Sequence, residues 1–167
     1  MKEIIIERVA HSWNTPGAAW LVLKEKGAGR RLLICIGQPE AWAIVMGLQN
    51  QKMPRPWTHD LLATFVETLG GTTKHVVVTE LEQEENTFYS KIVVRTNGTT
   101  HEVDARPSDA LALAVRQDVP IFAEEPLLEW AAGQDNSKFG ELSTLWPLGG
   151  EGKPKRRKRE KKGGRRA

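Results

Sequence analysis

The sequence predicts an α+β fold, a mainly antiparallel or mixed sheet packed with three to four helices. Three observations carry this prediction. Strand-like segments come in runs, before residue 37 and again between residues 74 and 104, rather than in strict alternation with helices. Asn97-Gly98 between two such segments is a strong hairpin turn. Apolar stripes at helical spacing follow Pro39, Pro56 and Pro107, and proline suits the first turn of a helix.

Taken in order, residues 3–9, 18–24 and 31–36 read as strands, the latter two joined through Gly27-Ala28-Gly29. Gln38-Pro39-Glu40 opens a helix whose stripe is Ala41, Ile44, Val45 and Leu48, weakened by Gly47. A second helix runs over 58–69 with Thr58 as its N-cap and Leu61, Leu62, Phe65, Val66 and Leu69 on one face; Gly70-Gly71 stops it. Strands follow at 74–81, 87–95 and 99–104, then a helix over 107–116 capped by Ser108. A short strand at 120–122 and a helix at 126–132 complete the set. Cys35 is the sole cysteine, so an internal disulfide is impossible, and it falls in a strand that reads as buried, which argues against a reactive thiol. Trp42 and Trp57 are expected to pack against helices.

A chain of 167 residues with 40% hydrophobic content fits one folding unit, assigned to residues 1–132. Residues 133–152 read as a linker holding Phe139, Leu142, Leu145 and Trp146 that docks in part on the domain. Charge divides the chain in two. Residues 153–167 hold ten Lys or Arg and one Glu, net +9 against a total of +3, which leaves residues 1–152 at −6. That segment has no apolar residue except Ala167 and is predicted to be a disordered polybasic tail. Its Lys153, Lys155, Arg156, Arg157, Lys158, Arg159, Lys161, Lys162, Arg165 and Arg166 are candidate contacts to nucleic-acid phosphates; the alternative is a solubilising tail. No apolar run approaches membrane-spanning length, and the N-terminus lacks a signal-peptide core, so no membrane partner and a cytoplasmic location are expected.

The chemistry gathers at two chain bends. In Arg55-Pro56-Trp57-Thr58-His59-Asp60, His59 and Asp60 enter the first turn of a helix, where the local field favours anions and a neutral imidazole. In Val103-Asp104-Ala105-Arg106-Pro107-Ser108-Asp109, a strand ends and a helix begins, bringing Asp104, Arg106 and Asp109 close in sequence. Two readings stand at this point. Asp104 and Asp109 converge on one cation, Mg²⁺ or Mn²⁺, that polarises a phosphodiester and activates water while Arg106 stabilises the developing charge. Otherwise Arg106 bridges Asp104 and Asp109 as a clamp that fixes the corner. Other motifs are missing: no C-x-x-C, no H-E-x-x-H, no phosphate-binding glycine loop and no G-x-S-x-G. His11, His75 and His101 read as structural or exposed singles, and Trp13, Trp20, Trp130 and Trp146 as core or interface packing, or else as base-stacking platforms.

The two bends, with the lead-in Ile36-Gly37-Gln38-Pro39-Glu40-Ala41 and the later Val119-Pro120-Ile121-Phe122-Ala123, resemble the bifunctional nuclease family over residues 1–132. The resemblance implies cleavage of both DNA and RNA with low sequence selectivity, at His59, Asp60, Asp104, Arg106 and Asp109. It also implies a homo-oligomer, most simply a dimer, in keeping with the number of Trp residues that need burial. The competing class is a non-catalytic nucleic-acid-binding or regulatory module that uses the basic tail.

Overall fold

The chain order is β1 (Lys2–His11), β2 (Ala18–Glu25), β3 (Arg31–Gly37), α1 (Gln38–Leu48), α2 (Thr58–Thr68), β4 (Gly71–Glu82), β5 (Thr87–Thr96), β6 (Thr99–Ala105), α3 (Pro107–Gln117), β7 (Ile121–Ala123), α4 (Glu125–Ala132) and β8 (Ser143–Pro147). The structure, a computed structural model, describes residues 1–11 and 16–134 and the backbone of 143–147. The polybasic tail lies outside the described residues, as do Trp13, Phe139 and Leu142.

The strands form one curled sheet in the order β3-β2-β1-β7-β4-β5-β6. β1 is shared: Lys2, Glu3 and Ile4 pair with β7, and beyond a register shift at Ile6/Arg8 the second half pairs with β8. Among the described pairings only β4–β7 is parallel, so the sheet is mostly antiparallel, as the runs of strands predict. Strand β8 falls inside the segment expected to be a linker and adds a strand to β1.

Alternation along the strands decides which side faces the helices. Val76, Val78 and Ile92 join the core with Ile44 of α1, Leu111 and Leu113 of α3 and Leu128 of α4. α3 is the central helix. Pro107 through Leu113 is buried apart from half-buried Asp109, and Ala110, Ala112 and Ala114 let α1, α2 and the sheet approach it closely.

Several expectations need correction. Cys35 is exposed, because it alternates to the outer face of edge strand β3; partial desolvation still raises its thiol pKa, which keeps the thiolate scarce. Trp42 and Trp57 are exposed rather than packed. The apolar face of α2 points outward: Leu61, Leu62, Phe65 and Leu69 are exposed, Phe65 at 61%, and α2 has no fully buried residue. The N-caps of α2 and α3 are Trp57 and Arg106, not Thr58 and Ser108. Proline at N1 sets the frame of α3, and Ser108 at N2 is buried.

Where α1 crosses α3, a Cβ on Gly47 would lie 2.5 Å from Val115 Cγ2 and 3.0 Å from Arg116 Nη1. Space, not backbone freedom, requires glycine here. Gly47→Ala should therefore lower stability by about 1–3 kcal/mol, against the ~1 kcal/mol that alanine normally contributes to a helix interior. Urea unfolding checks this, and an unchanged or higher midpoint would show that the crossing tolerates the methyl group.

Candidate functional site

Three helices begin with the same device. The N-caps of α1, α2 and α3 are Gly37, Trp57 and Arg106, none of which supplies a side-chain cap. Three residues on stand Glu40, Asp60 and Asp109, carboxylates placed in the positive end of the helix field. Asp60 Oδ2 accepts the Trp57 backbone N–H at 3.0 Å, half of a capping box. The Glu40 carboxylate folds back over Gly37, into space that a Cβ there would occupy.

The two bends meet through Asp109. His59 Nε2 lies 3.1 Å from Asp109 Oδ1, joining residues fifty apart in sequence. Arg106 donates to the same carboxylate from Nε (2.8 Å to Oδ2) and Nη2 (3.3 Å to Oδ1), a forked ion pair. Arg106 Nη1 reaches Glu40 Oε1 at 3.4 Å. Glu40, Arg106, Asp109 and His59 thus form one continuous row. Beside it, Gln38 Nε2 and His11 Nδ1 are 3.3 Å apart, which ties the end of β1 to the start of α1.

Exposure differs sharply along the row. The His59 side chain is 13% exposed and that of Arg106 is 67%, so the imidazole is enclosed while the guanidinium meets solvent. Burial raises the Asp109 carboxyl, but the hydrogen bonds from Arg106 and then His59 outweigh it and hold it below the usual aspartate value. In the neutral tautomer that donates from Nε2 to Asp109, His59 keeps Nδ1 as a proton acceptor.

Asp60 and Asp104 stand apart from this row. Asp60 Oδ1 receives Arg116 Nε at 2.7 Å, and Arg116 Nη1 also donates to Ala43 O and Ala112 O. Asp104 pairs in register with Lys91, on the sheet face opposite Ile92 and the helices. Arg106 therefore bridges Asp109 and Glu40, not Asp104 and Asp109, because alternation at the end of β6 turns Asp104 away. Glu40 and Arg116 were missed as site residues. Their signal is a carboxylate three residues after a cap that has no side-chain acceptor, and a lone arginine that follows the apolar stretch of α3 from Ala110 to Val115.

A divalent cation needs several oxygen or nitrogen donors with free lone pairs converging on one point. Both oxygens of Asp109 and both of Asp60 are engaged, Glu40 is held by Arg106, and Asp104 faces the other way. Among the described residues no group of three or more ligating side chains is placed to hold a metal ion. The residues as arranged do not fit the Mg²⁺ or Mn²⁺ centre expected at Asp104 and Asp109.

His75 stacks edge-on against Phe122 and His101 is exposed, in line with their reading as singles. Trp130 is half-buried and edge-on to Phe88. Among the described residues no helix is long and apolar enough to cross a membrane.

A family model for the bifunctional nuclease domain matches residues 21–136. An uncharacterized protein of Mycobacterium tuberculosis (strain H37Rv) is 42% identical over 124 residues, 74% of this chain and 71% of that protein. Bifunctional nuclease 1 of Arabidopsis thaliana is 26% identical over 135 residues, 79% of this chain and 41% of the plant protein. Bifunctional nuclease 1 of Oryza sativa subsp. japonica is 27% identical over 111 residues, 65% of this chain and 33% of the plant protein. The plant proteins are thus matched over less than half their length. With the domain model spanning both chemical bends and all three helix starts, the chain belongs to the bifunctional nuclease domain family.

Proposed function

We propose that this protein hydrolyses phosphodiesters in both DNA and RNA with low sequence selectivity, at the row formed by His59, Asp109 and Arg106. Family membership supports a nuclease-type function in general. The observation that carries the local reading is the convergence of His59 and Arg106 on one carboxylate, at 3.1 Å and 2.8 Å. Arg106, open to solvent, binds the non-bridging oxygens of a phosphodiester. His59 takes the proton of an attacking water at Nδ1 while Asp109 holds the imidazole on its other side. As the water oxygen bonds to phosphorus, the leaving oxygen departs and takes a proton from solvent; Arg106 stabilises the charge that builds on the phosphoryl group. Water as nucleophile needs no ribose 2′-hydroxyl, which suits both substrates. No step runs through a metal, since Asp109 is paired with His59 and Arg106 while Asp104 lies on the other face of the sheet.

Digestion of supercoiled plasmid and of RNA by the purified protein, with and without EDTA, tests this. His59→Asn should cost about 10²- to 10⁴-fold in kcat, the usual contribution of a positioned acid or base. Asp104→Asn should cleave as wild type. Equal cleavage by the His59→Asn variant, once shown to be folded, would remove the histidine from the reaction.

A second reading is favoured by one observation: each carboxylate of the row already has an internal partner, as in a structural clamp. On that reading substitutions change stability alone. The pH dependence gives the stability part separately. The folded pKa of Asp109 is depressed below 3.8, so its stabilisation is present above that pH and is lost as pH falls through the folded value. Asp109→Asn should be less stable than wild type at neutral pH, with the gap closing below about pH 4. A gap that stays constant across an acid titration would show that the carboxylate is not coupled to folding.

The polybasic segment gives the acidic domain its hold on a polyanion. Removing residues 153–167 should weaken DNA binding at low salt and flatten its salt dependence, by about 0.9 in log–log slope for each phosphate that is no longer neutralised. Identical salt slopes with and without the segment would end this role.

A further inference from the structure

We infer that Glu40 makes this site select a singly charged internal phosphodiester over a doubly charged terminal phosphate, and that Gly37 is present to let Glu40 do so. The inference rests on the nuclease reading above and concerns which phosphate that site accepts.

The first observation is space. Gly37 has φ −69° and ψ 158°, an extended conformation open to any residue, so its backbone does not call for glycine. What a side chain would meet is the Glu40 carboxylate, which occupies the position of a Cβ on Gly37. A glycine kept for room at this point leaves a carboxylate beside the exposed edge of Arg106, whose Nη1 it meets at 3.4 Å.

The second observation is charge. Arg106 is the cation offered to an incoming phosphate, and it is shared by two carboxylates, Glu40 and Asp109. The side chains of Glu40, Arg106 and Asp109 sum to one negative charge. A diester carries one negative charge, whereas a monoester carries about −1.5 to −2 near pH 7. Both gain from the guanidinium, but the second charge of a monoester adds more repulsion from the two carboxylates than attraction to one arginine. Asp109 also positions His59, so Glu40 is the carboxylate whose charge can be removed without disturbing the imidazole. The same sign favours release of a cleaved strand once it ends in a phosphate.

Titration of the full-length protein with dithymidine monophosphate, which has one internal diester, and with thymidine monophosphate checks this at neutral pH. Wild type should bind the diester more tightly. Glu40→Gln should improve monoester affinity relative to diester affinity by about fivefold, the effect of one unit charge a few ångströms away in a partly solvated site. Gly37→Ala should shift the ratio in the same direction with little loss of stability, because only the flexible end of Glu40 has to move. Glu40→Asp, which keeps the charge, should preserve most of the discrimination. Equal changes for both ligands in Glu40→Gln, or none, would overturn the assignment to Glu40 while leaving nuclease activity to be judged by digestion. A wild-type protein that binds the monoester better would overturn the selectivity even if it cleaves. Failure of wild type to bind or cleave any diester would remove both readings together.

Discussion

Arg116 is the interaction on which the arrangement of the helices turns. Its side chain is only 8% exposed, and it sits near the end of α3 with Asp60 of α2 on Nε and the Ala43 carbonyl of α1 on Nη1. A guanidinium withdrawn from water without partners costs several kcal/mol, so these acceptors determine where α1 and α2 lie against α3. Gly47 belongs to the same constraint, since its missing side chain makes room for Val115 and Arg116. α2 needs such an anchor more than the other helices do. It contributes no fully buried side chain, so apolar packing alone does not fix its angle or its register along α3.

Once α2 is pinned by Asp60, its neighbour His59 is delivered to Asp109. Asp109 and Arg116 are seven residues apart on α3, about 10 Å along the axis. Consecutive residues in the first turn of α2 thus grip two points of the same helix, which holds the N-terminal end of α2 against α3. The division of labour between the two carboxylates follows from this placement. Asp60 is consumed by capping and by Arg116, whereas Asp109 holds the imidazole and the exposed arginine. Two acidic residues that look equivalent in sequence, each in a first helical turn, become a positioning group and a site group because their partners differ.

Much of the fold was legible because its signals are local. The strand runs, the Asn97-Gly98 turn, Pro39 and Pro107 at helix starts and the apolar stripe of α3 each specify their element without help from distant residues. Errors came where a local pattern has two physical outcomes. The amphipathic face of α2 gives the helix but not the side on which it packs, and its leucines and Phe65 face outward. Cys35 lies in an apolar run on an edge strand, where alternation exposes every second residue. Reading Thr58 and Ser108 as caps placed the helix frame one or two residues too late, which hid the shared spacing of Glu40, Asp60 and Asp109 from their caps. Asp104 and Asp109 are close in sequence, but the pleat of β6 separates them more effectively than the turn brings them together. Glu40 was the largest omission, because the hydrogen bond that recruits it to Arg106 spans sixty-six residues.

The distribution of charge gives the site its character. Residues 1–152 carry a formal −6, so a polyanion is not drawn to the domain by its overall field, and attraction must come from local donors or from the +9 segment at the C-terminal end. Screening limits such attraction to about 8–10 Å at physiological salt, so diffuse basic charge raises local concentration without orienting a particular phosphate. Orientation has to come from a rigid cation. Among the residues of the row that cation is Arg106, held by a forked pair and placed at a helix start by Pro107. A site built this way reads the backbone and not the bases: its one exposed donor is a guanidinium suited to phosphate oxygens, and phosphate contacts carry no sequence information. On the proposed function, low sequence selectivity follows from this geometry. On the same proposal the carboxylates around Arg106 keep the site from holding every anion equally, because a guanidinium already neutralised from two sides favours the ligand that brings the least additional charge.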